Sequence, residues 1–256
     1  MGTVSLGAFF IVCPLVFLAS FVDAIAGGGG LISLPAYLLA GVPIHNAIAT
    51  NKLSSATGTV ISTVRYCKNG YVNWPLAFPG IAAALVGSVL GANLALHASD
   101  RVLKWMLILV LPVVAFYVLR KKEAGEKPEI RRISRRRLLA VVVVASLLIG
   151  TYDGFYGPGT GTFLLLVFTG MAGMDVKTAS GNVKLVNLAS NCSALGTFLF
   201  SGNVLVLLGL CASVFSILGH YLGSGLVMKN GTKIVRPIIL VVLALLFVKI
   251  LGESIV

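Results

Sequence analysis

From Trp74 to Ala98 the chain runs 25 residues without Asp, Glu, Lys or Arg, and from Val102 to Leu119 it does nearly the same, interrupted only by Lys104. At 1.5 Å of rise per residue, about 20 apolar residues make a helix that crosses the hydrocarbon of a bilayer. A soluble domain is roughly half apolar and a quarter charged. Here 57% of the 256 residues are hydrophobic, only 11% are charged, and the mean hydropathy is +0.99. A soluble globular protein is excluded, and the expectation is an all-α, polytopic integral membrane protein.

A formal charge of +12 invites a nucleic-acid reading, but nine of the twenty basic residues lie between Arg120 and Arg137, wedged between apolar segments. Such clusters resist translocation and mark cytoplasmic loops, so this linker is expected inside, next to anionic lipid headgroups, with no nucleic-acid partner. Cys13, Cys67, Cys192 and Cys211 form no CxxC pair and read as small hydrophobes. No Lys or Arg precedes Lys52, so the first apolar segment lacks the positive flank of a cleaved signal and is expected to stay in the mature protein.

Hydropathy and helix breakers give segments near 5–26, 31–40, 45–65, 74–97 and 101–120, then 138–153, 162–170, 176–198, 204–227 and 236–251. The two sets match. Asp23, Gly27 and Gly29 recur 130 positions later as Asp153, Gly157 and Gly159; Gly41, Lys52, Gly87 and Gly91 recur 132 positions later as Gly173, Lys184, Gly219 and Gly223. The chain therefore reads as an internal duplication: an N-terminal repeat over 1–120, a basic cytoplasmic linker over 121–137 and a C-terminal repeat over 138–256. The charges give the orientation. Arg65 and Lys68 have no charged counterpart around 201–203, whereas the turn at Asp100 is matched by Lys229, Lys233 and Arg236. The halves are thus expected to be inverted, each with about five helical segments and an odd number of crossings: five, or three plus a re-entrant hairpin. Both termini are expected outside the cell membrane.

The first two segments of each half meet at Asp23-Ala-Ile-Ala-Gly27-Gly28-Gly29-Gly30 and at Asp153-Gly-Phe-Tyr-Gly157-Pro158-Gly159-Thr160-Gly161. Glycine costs about 1 kcal/mol and proline about 3 kcal/mol per helical site, and bare backbone in hydrocarbon costs more. Such breaks persist at mid-membrane only where protein or a wet cavity satisfies the freed amides. Each is followed by a short helix whose N-terminal N–H groups would face that cavity, an arrangement that favours an anion. Close packing is the alternative reading of the glycines, and the preferred one for Gly87-x-x-x-Gly91 and Gly219-x-x-x-Gly223, where homodimerisation is also open. Neither glycine run completes G-x-G-x-x-G, and no Gly-Lys-Ser/Thr is present.

The third segment of each half is the most polar. Lys52 and Lys184 lie about two turns into it, close to the midplane, where an unpaired, lipid-facing charge is costly. A small anion bound between the halves is one partner, with Thr50, Asn51, Ser180 and Asn182 supplying hydrogen bonds. Asp23 and Asp153 need compensation as well. They are either buried partners of the two lysines or local caps, or they bind and release the proton that couples transport to a gradient. His45, His97 and His220 lack repeat partners and metal-ligand spacing and are expected to cap or pack; Trp74 and Trp105 read as interface anchors. No cofactor or metal is expected, and no Ser/His/Asp or Cys/His arrangement supports an enzyme.

Asp23-x-x-Ala26-Gly-Gly-Gly-Gly30-Leu-Ile-Ser-Leu-Pro35, then Gly41-Val-Pro43 and Ala49-Thr50-Asn51-Lys52-Leu53, resembles the first-repeat signature of the sulfite exporter TauE/SafE family, and Gly157-Pro-Gly-Thr-Gly161 resembles its looser second glycine run. The resemblance covers the whole chain. It implies an inner-membrane transporter with sulfite and sulfonated organic anions as its substrate class. The second repeat departs from a simple copy at Ser180-Gly-Asn182-Val-Lys184. The resulting expectation is a secondary transporter of a small anion working by alternating access, bound by Gly27, Gly28, Gly29, Gly30, Thr50, Asn51, Lys52, Gly157, Gly159, Thr160, Gly161, Ser180, Asn182 and Lys184, with Asp23 and Asp153 as proton-coupling candidates. A passive anion channel built on the same half-helix dipoles is the alternative.

Overall fold

The computed structural model describes residues 5–103, 105–106 and 134–230. Segments expected near 101–120 and 236–251, and the linker 121–137, fall largely outside the described residues. Among the described residues the chain forms helices and no strand: α1 (Leu6–Ala26), α2 (Gly30–Leu39), α3 (Ile44–Lys68) and α4 (Trp74–His97) in the first half, α5 (Arg135–Phe155), α6 (Thr160–Gly170), α7 (Val176–Phe200) and α8 (Val206–Asn230) in the second.

Their bounds follow local chemistry. α4 carries proline in its first turn, where a missing amide costs nothing. α7 begins after Asp175, whose carboxylate accepts the amides of Lys177 and Thr178. Gly27 and Gly28 (φ 76° and 88°) stop α1, and Gly157 and Gly159 (φ 101° and 86°) separate α5 from α6, all in backbone that L-residues with a Cβ rarely adopt. The breaks are narrower than the glycine runs, because Gly30 and Gly161 already belong to α2 and α6.

Among the described residues five helices, α1, α4, α5, α7 and α8, are long and apolar enough to cross a membrane. α2 and α6, at 10 and 11 residues, are apolar but too short. α3 has 25 residues, but it is much more polar, and Thr50, Asn51, Lys52, Ser54, Thr59, Ser62 and Thr63 are all buried. Its polar groups therefore face protein. The lipid-type surface lies elsewhere, with Phe78, Val86, Leu90 and Leu94 exposed on α4 and Leu207, Leu210, Val214 and Leu222 exposed on α8.

The halves exchange partners. α1 lies along α8, and α4 along α5, as the most extensive helix contacts among the described residues. Glycine makes both approaches close. A Cβ on Gly87 would strike the Leu147 carbonyl and one on Gly91 the Thr151 carbonyl; Gly219 stands in the same way against Phe17, and Gly223 against Phe21. Phe17 and Phe21 are the residues 130 positions before Leu147 and Thr151, so one contact is made twice. Both glycine pairs are thereby occupied inside the chain. In each pair residue numbers rise together, so the two helices run parallel. α3 and α7 instead cross with opposed directions: Lys52 reaches Asn191, while Thr63 donates to the Lys184 carbonyl. Apolar clusters flank this centre, one around Tyr37, Ile48, Phe198 and Leu208, the other around Val142, Leu164, Phe168 and Val183.

Candidate functional site

Lys52 and Lys184 are 2% and 3% exposed. Removing an ammonium from water costs several kcal/mol unless a counter-charge receives it. Each lysine is received by the carboxylate of the opposite half. Lys52 Nζ is 2.9 Å from Asp153 Oδ2 and donates to Asn191 Oδ1 at 3.1 Å. Lys184 Nζ is 2.7 Å from Asp23 Oδ2 and also donates to the Asp23 carbonyl, an acceptor at the end of α1.

The carboxylates also serve the short helices. Asp23 Oδ1 accepts the Gly29 amide at 3.1 Å, so its charge sits against the positive end of α2. Asp153 accepts the hydroxyls of Thr160, at the start of α6, and of Ser190 on α7. Of the readings open for these aspartates, buried pairing and local capping are both present in the geometry.

Asp23, Lys52 and Asp153 line a common recess. Gly28, Gly29 and Gly30 border it from one half and Gly157, Gly159, Thr160 and Gly161 from the other, so the starts of α2 and α6 open onto a common space. The two breaks touch: a Cβ on Gly27 would meet the Gly161–Thr162 backbone at 2.5 Å. Among the described residues Asn51, 8% exposed, borders the recess with a side-chain oxygen that has no partner.

The expected site residues divide. Gly28, Gly29, Gly30, Asn51, Lys52, Gly157, Gly159, Thr160 and Gly161 line the recess, together with Asp23 and Asp153. Gly27, Thr50, Ser180, Asn182 and Lys184 do not. Gly27 is packed against the α6 backbone. Thr50 accepts the Leu205 amide at 3.0 Å just before α8, Ser180 donates to the Val176 carbonyl, and Asn182 donates to the Thr178 carbonyl. Lys184 stands behind Asp23. Ser54, Ser55, Thr59, Asn187 and Asn191 also line the recess, although only their polarity had marked them. Spacing offered a sharper signal: Asn51, Ser55 and Thr59 are four apart, as are Asn187 and Asn191, and each set covers one helical face.

His220 and Ser20 line the recess too, with Val16, Ala19 and Ser33. His220, expected to cap or pack, is 1% exposed, with Nε2 3.8 Å from Asp23 Oδ2 and Nδ1 3.1 Å from Ser62 Oγ. Nothing in the repeat pattern announced it, since position 88, its counterpart, is serine. No group of three or more metal-ligating side chains occurs among the described residues.

The family model described as sulfite exporter TauE/SafE matches residues 12–250. A probable membrane transporter protein, ORF9, from Sinorhizobium sp is 38% identical over 237 residues, covering 93% of this chain and 90% of that protein. The probable membrane transporter protein YfcA of Escherichia coli (strain K12) is 35% identical over 249 residues, 97% of this chain and 90% of its own. A probable membrane transporter protein of Haemophilus influenzae is 32% identical over 238 residues, 93% and 92% of the two chains. No solved structure matches the chain.

Proposed function

The chain belongs to the sulfite exporter TauE/SafE family of membrane transporters, and from that premise we propose that it carries a small oxyanion or sulfonate by alternating access, coupled to the proton gradient. One observation carries the reading: the N-terminal ends of two half-helices from different repeats, with Lys52 between them, open onto one polar recess. Free amides at a helix start and the dipole behind them favour negative charge. Sulfite, sulfonates and related oxyanions present several acceptor oxygens, which suits Gly28, Gly30, Asn51 and the lysine.

The exchanged packing suits a moving carrier. The opposed directions of α3 and α7, with α1 parallel to α8 and α4 parallel to α5, agree with two inverted repeats. In such a pair, rocking one half against the other exposes the shared site to each side in turn. The basic linker lies inside and both termini outside, at the bacterial inner membrane. Protonating Asp23 or Asp153 would loosen its hold on the partner lysine, which ties a proton to the exposure of positive charge in the recess.

Purified protein in liposomes tests this with sulfite, thiosulfate, methanesulfonate and acetate under an imposed pH gradient. Saturable uptake driven uphill by protons is expected, reduced by Lys52→Ala and Lys184→Ala. Unsaturable, ohmic current would make the protein a channel instead. If both lysine variants transport like wild type, the site is misassigned. If Asp23→Asn and Asp153→Asn together remain driven by pH, coupling does not run through these carboxylates.

A further inference from the structure

The two ion pairs occupy matched positions in the repeats, yet their surroundings differ. Asp153 is 3% exposed and fully engaged, taking Lys52 and Ser190 on one oxygen and Thr160 on the other. Asp23 is 16% exposed, borders the recess and has an imidazole 3.8 Å from Oδ2. The offset that matches Gly87 and Gly91 to Gly219 and Gly223 puts Ser88 where the second half has His220, and Ser88 donates to the Ser190 carbonyl. One pair therefore has a second proton-accepting group beside it, and the other has a hydroxyl already in use.

Hydrogen bonds set the direction of the imidazole. Ser62 Oγ donates to the Thr59 carbonyl at 3.1 Å, which uses its only proton. With that bond made, the 3.1 Å contact with His220 Nδ1 is satisfied by Nδ1–H donating to Ser62. In that tautomer the Nε2 lone pair faces Asp23. A lone pair has nothing to bond on an ionised carboxylate, but it accepts from a protonated one. The 3.8 Å separation is longer than a hydrogen bond, so transfer requires the two side chains to approach.

We propose that His220 is the proton-relay partner of Asp23 and that the proton cycle of the carrier runs through this one pair, while Asp153 and Lys52 form a fixed counter-charge. In the transfer, the Asp23 Oδ2–H bond breaks as the Nε2–H bond forms, leaving a carboxylate and an imidazolium; the reverse step restores both. The other charged or titratable groups around the dyad are Lys184 from α7, and Tyr66 and Arg65 from α3. Tyr66 donates to the Ala24 carbonyl, and Arg65 is held by Tyr221 and Ser224 on α8. α2 contributes the Gly29 amide, and Lys52 and Asp153 border the same recess. Lys184 bonded to Asp23 favours the ionised carboxylate, so imidazole and ammonium compete for one oxygen.

The inference rests on the proton-coupled reading above, and its test separates the two. In proteoliposomes, whichever of sulfite and methanesulfonate the wild type carries is measured in two modes: proton-driven accumulation, and exchange at equal pH on both sides. His220→Gln is expected to lose accumulation by roughly a hundredfold, the lower end of what a positioned proton-transfer group contributes, with a far smaller loss of exchange. Ser62→Ala, which releases Nδ1, is expected to shift the pH profile of accumulation and leave exchange intact. Asp153→Asn with His220 present is expected to retain proton dependence. Accumulation by His220→Gln with a wild-type pH profile overturns the proposal, as does proton dependence lost in Asp153→Asn but kept in Asp23→Asn. Should the wild type carry neither anion, the two modes are measured with thiosulfate or acetate, and if it carries none of the four the transport reading fails by itself. Infrared titration of purified protein then decides the dyad: the protonated-carboxyl band abolished by Asp23→Asn must appear at a different pH in His220→Gln, and an unchanged band rejects the pair. The same band, with thermal melting, identifies a His220→Gln protein that has lost its fold.

Discussion

Lys52 and Asp153 stand 2.9 Å apart, both almost fully buried, and come from different halves of the chain. With Lys184 and Asp23 they make the two halves electrostatically incomplete without each other. Breaking a buried pair by removing one partner costs about 3–5 kcal/mol, because the other charge stays behind, whereas replacing both with apolar residues of similar size is often neutral. Lys52→Met is therefore expected to lower the melting temperature in detergent markedly, and Lys52→Met with Asp153→Leu to recover most of the loss. A double variant no more stable than the single one would mean that the pair is not the main electrostatic link.

The glycines divide by what surrounds them. A Cβ on Gly91 would run into the Thr151 carbonyl, whereas around Gly196, within α7, nothing lies within 4 Å. Forcing extra carbon into a packed contact costs about 1–3 kcal/mol, and Gly→Ala in an open helical site gains up to about 1 kcal/mol. Gly91→Ala should melt well below wild type and Gly196→Ala at or slightly above it. Equal shifts would show that α4 and α5 are not in tight backbone contact.

Much of this architecture was legible in the residues. The all-helical, membrane-spanning character follows from the apolar runs, and the breaks at Gly27–Gly28 and Gly157–Gly159 follow from the chemistry of glycine. What the sequence did not reveal was who meets whom. Hydropathy registers how a helix partitions and is silent on its neighbour. Gly87 touches Leu147 through a main-chain carbonyl, which leaves no trace in side-chain pattern. Pairing of the aspartates with the lysines is one of the readings the residues leave open; that Asp153 takes Lys52 and Asp23 takes Lys184, each from the other half of the chain, only the fold shows. His220 was hidden for a related reason: duplication draws attention to repeated residues, and the role inferred for His220 depends on its being unrepeated.

Asp175 lies outside the spans, at the start of α7. Partial burial pushes its carboxyl up, but the hydroxyl and amide of Thr178 and the amide of Lys177 outweigh that and hold it below its ordinary value of 3.8. A lowered folded value means that its stabilisation is complete above the unfolded pKa, about 3.9, and drains away as pH falls through the folded one. Asp175→Ala should cost about 0.5–2 kcal/mol at neutral pH. Asp175→Asn, an equally good cap, should cost little there. Melting curves from pH 7 to pH 3 check the sign: the gap between wild type and Asp175→Ala should narrow in acid, and one that widens contradicts the cap.

Thr50 and Asn51 are adjacent, yet the fold uses them in opposite ways. Thr50 Oγ1 accepts the Leu205 amide at the entry to α8, from the other half of the chain, and does not reach the recess. Asn51 lines the recess, and its buried oxygen has no partner. Thr50→Val keeps the shape and strands a buried N–H, at a cost of about 1–3 kcal/mol in stability. The affinity of the remaining folded protein for its anion should not change. Asn51→Ala takes from the anion the side-chain Nδ2–H donor, the half of the amide that can bond an oxyanion; at about 1.5–3 kcal/mol for a bond to a charged partner, half-saturation should rise tenfold or more with the melting temperature held. Uptake titrations and melting curves on the same two preparations test both. The reverse pattern, affinity lost at Thr50 and stability lost at Asn51, would move the binding site off the recess face of α3.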